Sequence, residues 1–348
     1  MVCIYCTRDI PEIGFKSREH VVPKAFGTFS PDNLTLRSLV CDECNHFFGN
    51  SIDLILARGS IEAMDRLAYG IKPSDEAKDL RQERIQFTYA QAGPWKGIKL
   101  ELKADSRSKN GLIVEPLPQI RFAKKSGDSF IYIPLKLLED EHAPLPDGID
   151  LKKCFLLIVN SNETKSRIIR ALKSRNIDYF EKESTSLPFQ PGKELLVNLE
   201  TVVDIPIRRC IAKIGLNYLA YVQIKATNIE RARTFILKND FSRIRDFIRN
   251  GIDASYPLVI VDSRPILADD FKTLRRTSGH IVTVDWTSDK CSVFSQISLF
   301  NRLRYRVCLA RDFTGVFQPI CSGHLFDIKN KTTKKLVGTS LLSPRIAN

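Results

Sequence analysis

Cys3-Ile4-Tyr5-Cys6, Ser17-Arg18-Glu19-His20-Val21-Val22-Pro23-Lys24-Ala25-Phe26-Gly27 and Leu39-Val40-Cys41-Asp42-Glu43-Cys44-Asn45-His46 stand close together at the start of a 348-residue chain. Each C-x-x-C turn places two sulfurs about one ion at a Zn–S distance of ~2.3 Å, and two such turns close a tetrahedral four-thiolate site. A closed site has no open coordination position. Cys3, Cys6, Cys41 and Cys44 are therefore expected to hold a structural Zn²⁺ rather than a catalytic one. The energetics agree. A segment of about 70 residues buries too little surface to be comfortably stable by itself, and structural zinc contributes on the order of 10–16 kcal/mol of apparent binding energy in small zinc peptides. The chain has nine cysteines, an odd number, and Met1-Val2-Cys3-Ile4-Tyr5-Cys6 has no basic or apolar leader pattern. Metal binding is expected, not a disulfide framework.

Between the cysteine pairs, Glu19-His20 closes a short strand, Pro31-Asp32-Asn33 is a turn, and Leu34 to Val40 returns as a second strand. A helix starts near Cys44. A hairpin followed by a helix can hold a carboxylate, an imidazole and a helix-start side chain around one hard cation. Oxygen ligands from Glu19 and Asn45 suit Mg²⁺ or Mn²⁺, with waters and phosphate oxygens in the remaining positions. At these residues the chain resembles the HNH nucleases, the ββα-metal superfamily, in the subtype with two C-x-x-C zinc pairs. The resemblance covers residues 1 to about 60. It implies His20 as the catalytic base, Glu19 and Asn45 as ligands of the catalytic cation, and Asn33 as the brace of the loop carrying the base. It also implies products with 5′-phosphate and 3′-hydroxyl ends. Two departures stand out: Asn45 occupies the last motif position instead of a histidine, and His46 follows it directly. Plainer readings also exist. His20 can be a surface strand histidine, Glu19 a solvated carboxylate, Asn33 an ordinary turn residue and Asn45 a helix-start cap.

The net charge is +13, and it is unevenly distributed. Residues 1–72 carry 8 Lys+Arg against 9 Asp+Glu, residues 73–202 carry 21 against 19, and residues 203–348 carry 24 against 12. A concentrated positive excess favours polyanionic partners, nucleic acid above all. Candidate phosphate contacts are Arg243, Arg245 and Arg249 on the outer side of a helix over 241–250, and Arg302, Arg304 and Arg306 alternating along a strand; a solvated face is the alternative for the latter stripe. Three parts are expected: a zinc-stabilised nuclease module at 1–72, a strand-rich mixed region at 73–202, and a basic α+β region at 203–348 opening with a helix capped by Asp204. The fold class is α+β.

No apolar run approaches the ~20 residues of a membrane span, so the expected location is the cytoplasm and membrane partners are not expected. The expected function is metal-dependent hydrolysis of DNA. A non-catalytic zinc module that positions a nucleic-acid-binding region, and an RNA-directed nuclease, are the alternatives. A host-defence role follows only by analogy from joining a nuclease head to a large additional region.

Overall fold

In the computed structural model of the chain, the described residues are 1–31, 33–72, 80, 84–91, 93, 95–105, 112–127, 129–158, 161–178, 195–252, 259–262, 279–287, 292–313 and 321–336. Two compact units form, Met1–Lys72 together with Val203–Asn348, and Pro73–Val202. The fold is mixed α+β, as the sequence led us to expect.

The chain opens with β1 (Glu19–His20) antiparallel to β2 (Thr35–Leu36), followed by helices α1 (Asp42–Asn50), α2 (Ile52–Gly59) and α3 (Ile61–Ala68). The second unit holds β3 (Ile85–Tyr89), β4 (Lys99–Ala104), β5 (Leu112–Pro116), β6 (Gln119–Lys124), β7 (Phe130–Pro134), α4 (Leu135–Glu139), β8 (Ile149–Ile158), α5 (Asn162–Ser174) and β9 (Val197–Thr201). Its strands form two antiparallel sheets, ordered β5-β4-β3-β9 and β7-β6-β8. Ser161 caps α5 by accepting from the Thr164 amide at 3.1 Å, and the helix buries Ile168, Ala171 and Leu172.

The chain then returns to the first unit through α6 (Ile205–Ala226), α7 (Ile229–Ile236) and α8 (Ser242–Asn250). Strands β10 (Val259–Asp262), β11 (Gly279–Thr287), β12 (Ser292–Ser298), β13 (Arg304–Ala310), β14 (Cys321–Asp327) and β15 (Thr332–Leu336) form one antiparallel sheet in the order β10-β13-β12-β11-β14-β15. Asp204 caps α6 through the Ile207 amide at 3.4 Å, and Gly251 ends α8 in the left-handed region at φ +71°.

Helix α6 is the axis of this unit. Its sequence period suggests one apolar face, yet every residue from Cys210 to Gln223 is buried. A helix buried all round needs a partner on each side. The sheet supplies one through β11, β12 and β13, and the N-terminal segment supplies the other through α2 and β2. Gly215 permits the close approach to the sheet, since a Cβ there would lie 3.0 Å from Ser295 Cβ. This arrangement corrects the division between residues 1–72 and 203–348: Phe26, Leu36 and Leu56 share one core with Ile214, Tyr218 and Ile297. Of the N-terminal helices, α2 packs on α6 and is covered by it. Among the described residues no helix is long and apolar enough to cross a membrane.

His280 joins the same two segments. It is fully buried on β11, its Nε2 lies 2.9 Å from the Phe26 carbonyl, and its Nδ1 accepts from the Phe300 amide at 3.1 Å. That pairing demands a neutral ring with the proton on Nε2. Phe26, Phe29 and Phe300 surround it edge-on. Burial lowers its pKa to about 4. Because the folded state resists protonation, stability should be full above the ordinary imidazole pKa of ~6.5 and fall as the pH drops toward about 4, by about 3 kcal/mol at most. Urea unfolding followed between those pH values checks this; the acid-side loss should shrink in His280→Gln, and an equal loss in both proteins would contradict it.

Candidate metal and catalytic centre

The two cysteine turns converge as their spacing implies. Cys3 and Cys6 flank a tight turn that is closed by the Thr7 amide on the Cys3 carbonyl at 3.0 Å, with Thr7 in the left-handed region at φ +58°. Cys41 is the residue before α1 and Cys44 lies in its first turn. All four sulfurs are buried and lie within 4.8 Å of one another. Cys6 Sγ and Cys41 Sγ are 3.9 Å apart, which matches the ~3.8 Å edge of a tetrahedron built on ~2.3 Å Zn–S bonds. The cluster polarises its own thiols: a hydrogen bond with Cys44 lowers the Cys3 pKa to about 4, whereas burial raises Cys41 to about 11. A divalent cation is the chemistry that holds four such neighbours as thiolates, so the donor set fits a structural zinc.

Asp42 ties the approach to the hairpin to α1. The Ser17 amide and hydroxyl both donate to Asp42 Oδ1, at 2.7 and 2.5 Å, tying the approach to β1 to the first turn of the helix. In β1–β2, Glu19 is paired with Leu36 and His20 with Thr35. Successive strand residues point to opposite faces, and the two motif residues separate accordingly. His20 is half-buried, while Glu19 is 2% exposed and turns toward α6. There its Oε1 accepts from Lys213 Nζ at 2.6 Å and from Asn217 Nδ2 at 2.9 Å.

This inward contact is the centre of a larger buried network. Lys213 Nζ also donates to Asp53 Oδ2 at 2.8 Å, and the Cys210 thiol donates to Asp53 Oδ1 at 3.1 Å. Asn217 Nδ2 donates to the His20 carbonyl at 3.1 Å, and Asn217 Oδ1 accepts from the Tyr5 hydroxyl at 2.7 Å. Burial alone would lower the Lys213 pKa, but Asp53 and Glu19 outweigh it and raise the value, keeping the ammonium charged. Glu19, expected to be a ligand of a cation beside His20, thus turns toward α6. Its carboxylate is engaged by a buried ammonium on the opposite face of the strand.

The other motif residues fall as follows. Asn33 Oδ1 accepts from the Phe29 amide and so closes the loop between the strands. Asn45 is half-buried in α1, and among the described residues its carboxamide has no hydrogen-bond partner. Its carboxamide oxygen can accept a ligand. His46 is exposed, with Nε2 2.8 Å from Asn50 Nδ2. For His20, burial first and then Lys24, Lys213 and Arg18 lower the imidazole pKa, leaving a neutral ring at neutral pH.

The arginines expected to meet phosphate are largely engaged within the fold. Arg245 is buried and donates to the Ile236 and Lys238 carbonyls, closing the end of α7. Arg302 lies in the turn before β13 and forms a two-pronged ion pair with Asp65 of α3 at 2.5 Å. Arg304 pairs with Asp262, its cross-strand neighbour, at 2.6 Å. Arg306 is exposed with its guanidinium 4.4 Å above the Phe294 ring. Arg249 is half-buried, and Arg243 is exposed. The helix is present, but Arg245 lies on its buried side and Arg302 falls before the strand; periodicity does not reveal the carboxylates and carbonyls waiting on the facing elements.

Motif spacing does not single out Asp53, Lys213 and Asn217. A signal was present: Lys213 and Asn217 stand one helical turn apart inside the apolar run from Cys210 to Val222. A lysine surrounded by apolar neighbours on a buried helix needs a carboxylate partner.

Metal analysis tests the cysteine cluster. The purified chain should carry about one zinc, and Cys41→Ser should lose it and loosen the N-terminal segment. Full zinc retention in Cys41→Ser would contradict the site.

Comparison with protein families matches residues 3–59 to the HNH endonuclease family. Comparisons with curated proteins and with solved structures gave no significant match. The matched interval begins at the first cluster cysteine, spans the hairpin and α1, and ends with α2. With the four-cysteine cluster in place inside it, residues 3–59 are an HNH endonuclease domain.

Proposed function

We propose that the chain is an endonuclease that hydrolyses DNA phosphodiester bonds with His20 as general base. The observation that carries this reading is the setting of His20 within the HNH domain. Its backbone is fixed by Asn217, and its ring is half-buried and kept neutral by burial and by nearby cations. A neutral imidazole can take a proton from water as the oxygen attacks phosphorus. The new P–O bond forms as the bond to the 3′ oxygen breaks, and that oxygen leaves with a proton from solvent. The products carry 5′-phosphate and 3′-hydroxyl ends.

Asn45 is the protein ligand we assign to a Mg²⁺ or Mn²⁺ ion. Such ions commonly use one or two protein oxygens and complete their shell with water and substrate phosphate. When bound, the cation supplies positive charge at the phosphate. Glu19 acts from behind, holding the strand against α6 through Lys213.

Plasmid cleavage with Mg²⁺, Mn²⁺ or EDTA, run beside His20→Ala, tests the assignment. Cleavage should require the cation and be abolished in His20→Ala, while zinc content and DNA affinity are retained. Since the base form exists above the His20 pKa, activity should rise with pH through a midpoint below the ordinary ~6.5 and then level. Lys24→Gln should move that midpoint upward. Wild-type activity in His20→Ala would place the chemistry elsewhere; cutting of structured RNA with plasmid left whole would assign an RNA substrate.

A further inference from the structure

Two hollows meet over the C-terminal half of α6. One, of about 250 Å³, is lined by Thr35 and Arg37 at the end of β2 and by Tyr221 and Lys225 of α6. The other, of about 320 Å³, is lined by the same Tyr221 and Lys225 and by His324 of β14 and Lys335 of β15. Tyr221 and Lys225 are one helical turn apart and lie on one side of the helix. The hollows therefore form one track that crosses α6 from the hairpin to the edge of the sheet. The hairpin end of the track begins beside the proposed base, because Thr35 is the cross-strand partner of His20. Cα atoms paired in this way are about 4.5–5.5 Å apart.

The lining has one sign of charge. Arg37, Lys225 and Lys335 are its charged residues among those described, and no aspartate or glutamate lines either hollow. Arg37 and Lys335 are exposed and make no ion pair among the described residues, in contrast to Arg302 and Arg304. The walls are fixed. Tyr218 hydroxyl lies 2.7 Å from His324 Nδ1 and 3.3 Å from Ser322 Oγ, and the His324 ring packs edge-on to Tyr221. Lys335 is the cross-strand partner of His324, and Lys225 Nζ lies 5.3 Å from the centre of the Tyr221 ring. A concave surface with cations alone and rigid polar walls favours phosphate.

We propose that this track is the DNA-backbone groove of the protein: Arg37, Lys225 and Lys335 neutralise phosphates flanking the one presented to His20. The proposal rests on the nuclease reading above. It transfers the phosphate-binding role from the arginines of α8 and β13 to residues of the hairpin, α6, β14 and β15.

The test is binding of a fluorescent DNA duplex to the full chain in a His20→Ala background, which prevents cutting during the titration. Arg37→Gln/Lys225→Gln/Lys335→Gln is compared with Arg170→Gln/Lys173→Gln, which removes two exposed cations of α5 in the other unit. Zinc content and tryptophan fluorescence verify folding in each protein. The groove variant should bind at least about 10-fold more weakly at about 0.1 M salt, the effect of one lost phosphate contact. Its slope of log affinity against log salt should fall by up to about 2.7 for three contacts. The α5 variant should keep both. A folded groove variant that binds as tightly and with the same slope as its parent overturns the groove, and it leaves the nuclease reading standing if the His20 protein cuts plasmid. Absence of DNA binding and cleavage in the parent chain overturns both.

Discussion

One ammonium and two carboxylates are buried where α6 passes behind the hairpin, and the arrangement of the HNH domain depends on their meeting. Lys213 reaches Glu19 on β1 and Asp53 on α2. Removing these charges from water costs several kcal/mol per ion, recovered only when each polar atom finds a partner. Asn217 on the next turn adds contacts to Glu19, to the His20 backbone and to Tyr5 between the first two cluster cysteines. The first strand, the first cysteine turn and the second helix of the domain are thereby held by two side chains of a helix more than 150 residues away. An alternative register of the hairpin would turn Glu19 to the outside face and leave Lys213 without one of its two partners. The ion pair thus contributes specificity to the hairpin.

The HNH domain is consequently a surface feature of a larger core rather than a free-standing head. Zinc-type cysteines organise its inner turn, α6 backs its hairpin and α2, and the β11 histidine grips the loop after β1. Further links run from Tyr305 to Glu62 and from Arg302 to Asp65, both onto α3. The basic C-terminal segment spends part of its charge on these joints. Its positive total therefore overstates the charge available to a polyanion.

Much of this was legible in the chain, for identifiable reasons. The cysteine cluster depends on local turns of fixed spacing, so Cys3, Cys6, Cys41 and Cys44 could be grouped from sequence. The starts and stops of α6 and α8 depend on Asp204 and Gly251, which act on their own neighbours. What was hidden is nonlocal. Alternation along β1 separates Glu19 from His20, but only the position of Lys213 shows which face is the core. Arg245 and Arg302 look like surface cations until the carbonyls of α7 and the carboxylate of α3 are in view. The second burial face of α6 could not be inferred from its own period, since its cover comes from the other end of the chain.

The locking of the hairpin to α6 by Lys213 and Glu19 together is open to a double-mutant cycle. The chain has two tryptophans, and in a Trp95→Phe background Trp286 alone reports on the unit that contains the ion pair. Urea unfolding would be followed for Lys213→Met, Glu19→Gln and the double variant. Lys213→Met should cost about 3–5 kcal/mol because it strands buried carboxylates. The double variant should be more stable than the sum of the single losses implies, with a coupling of about 1–3 kcal/mol. Additive losses, or a Lys213→Met protein as stable as its parent, would contradict the claim.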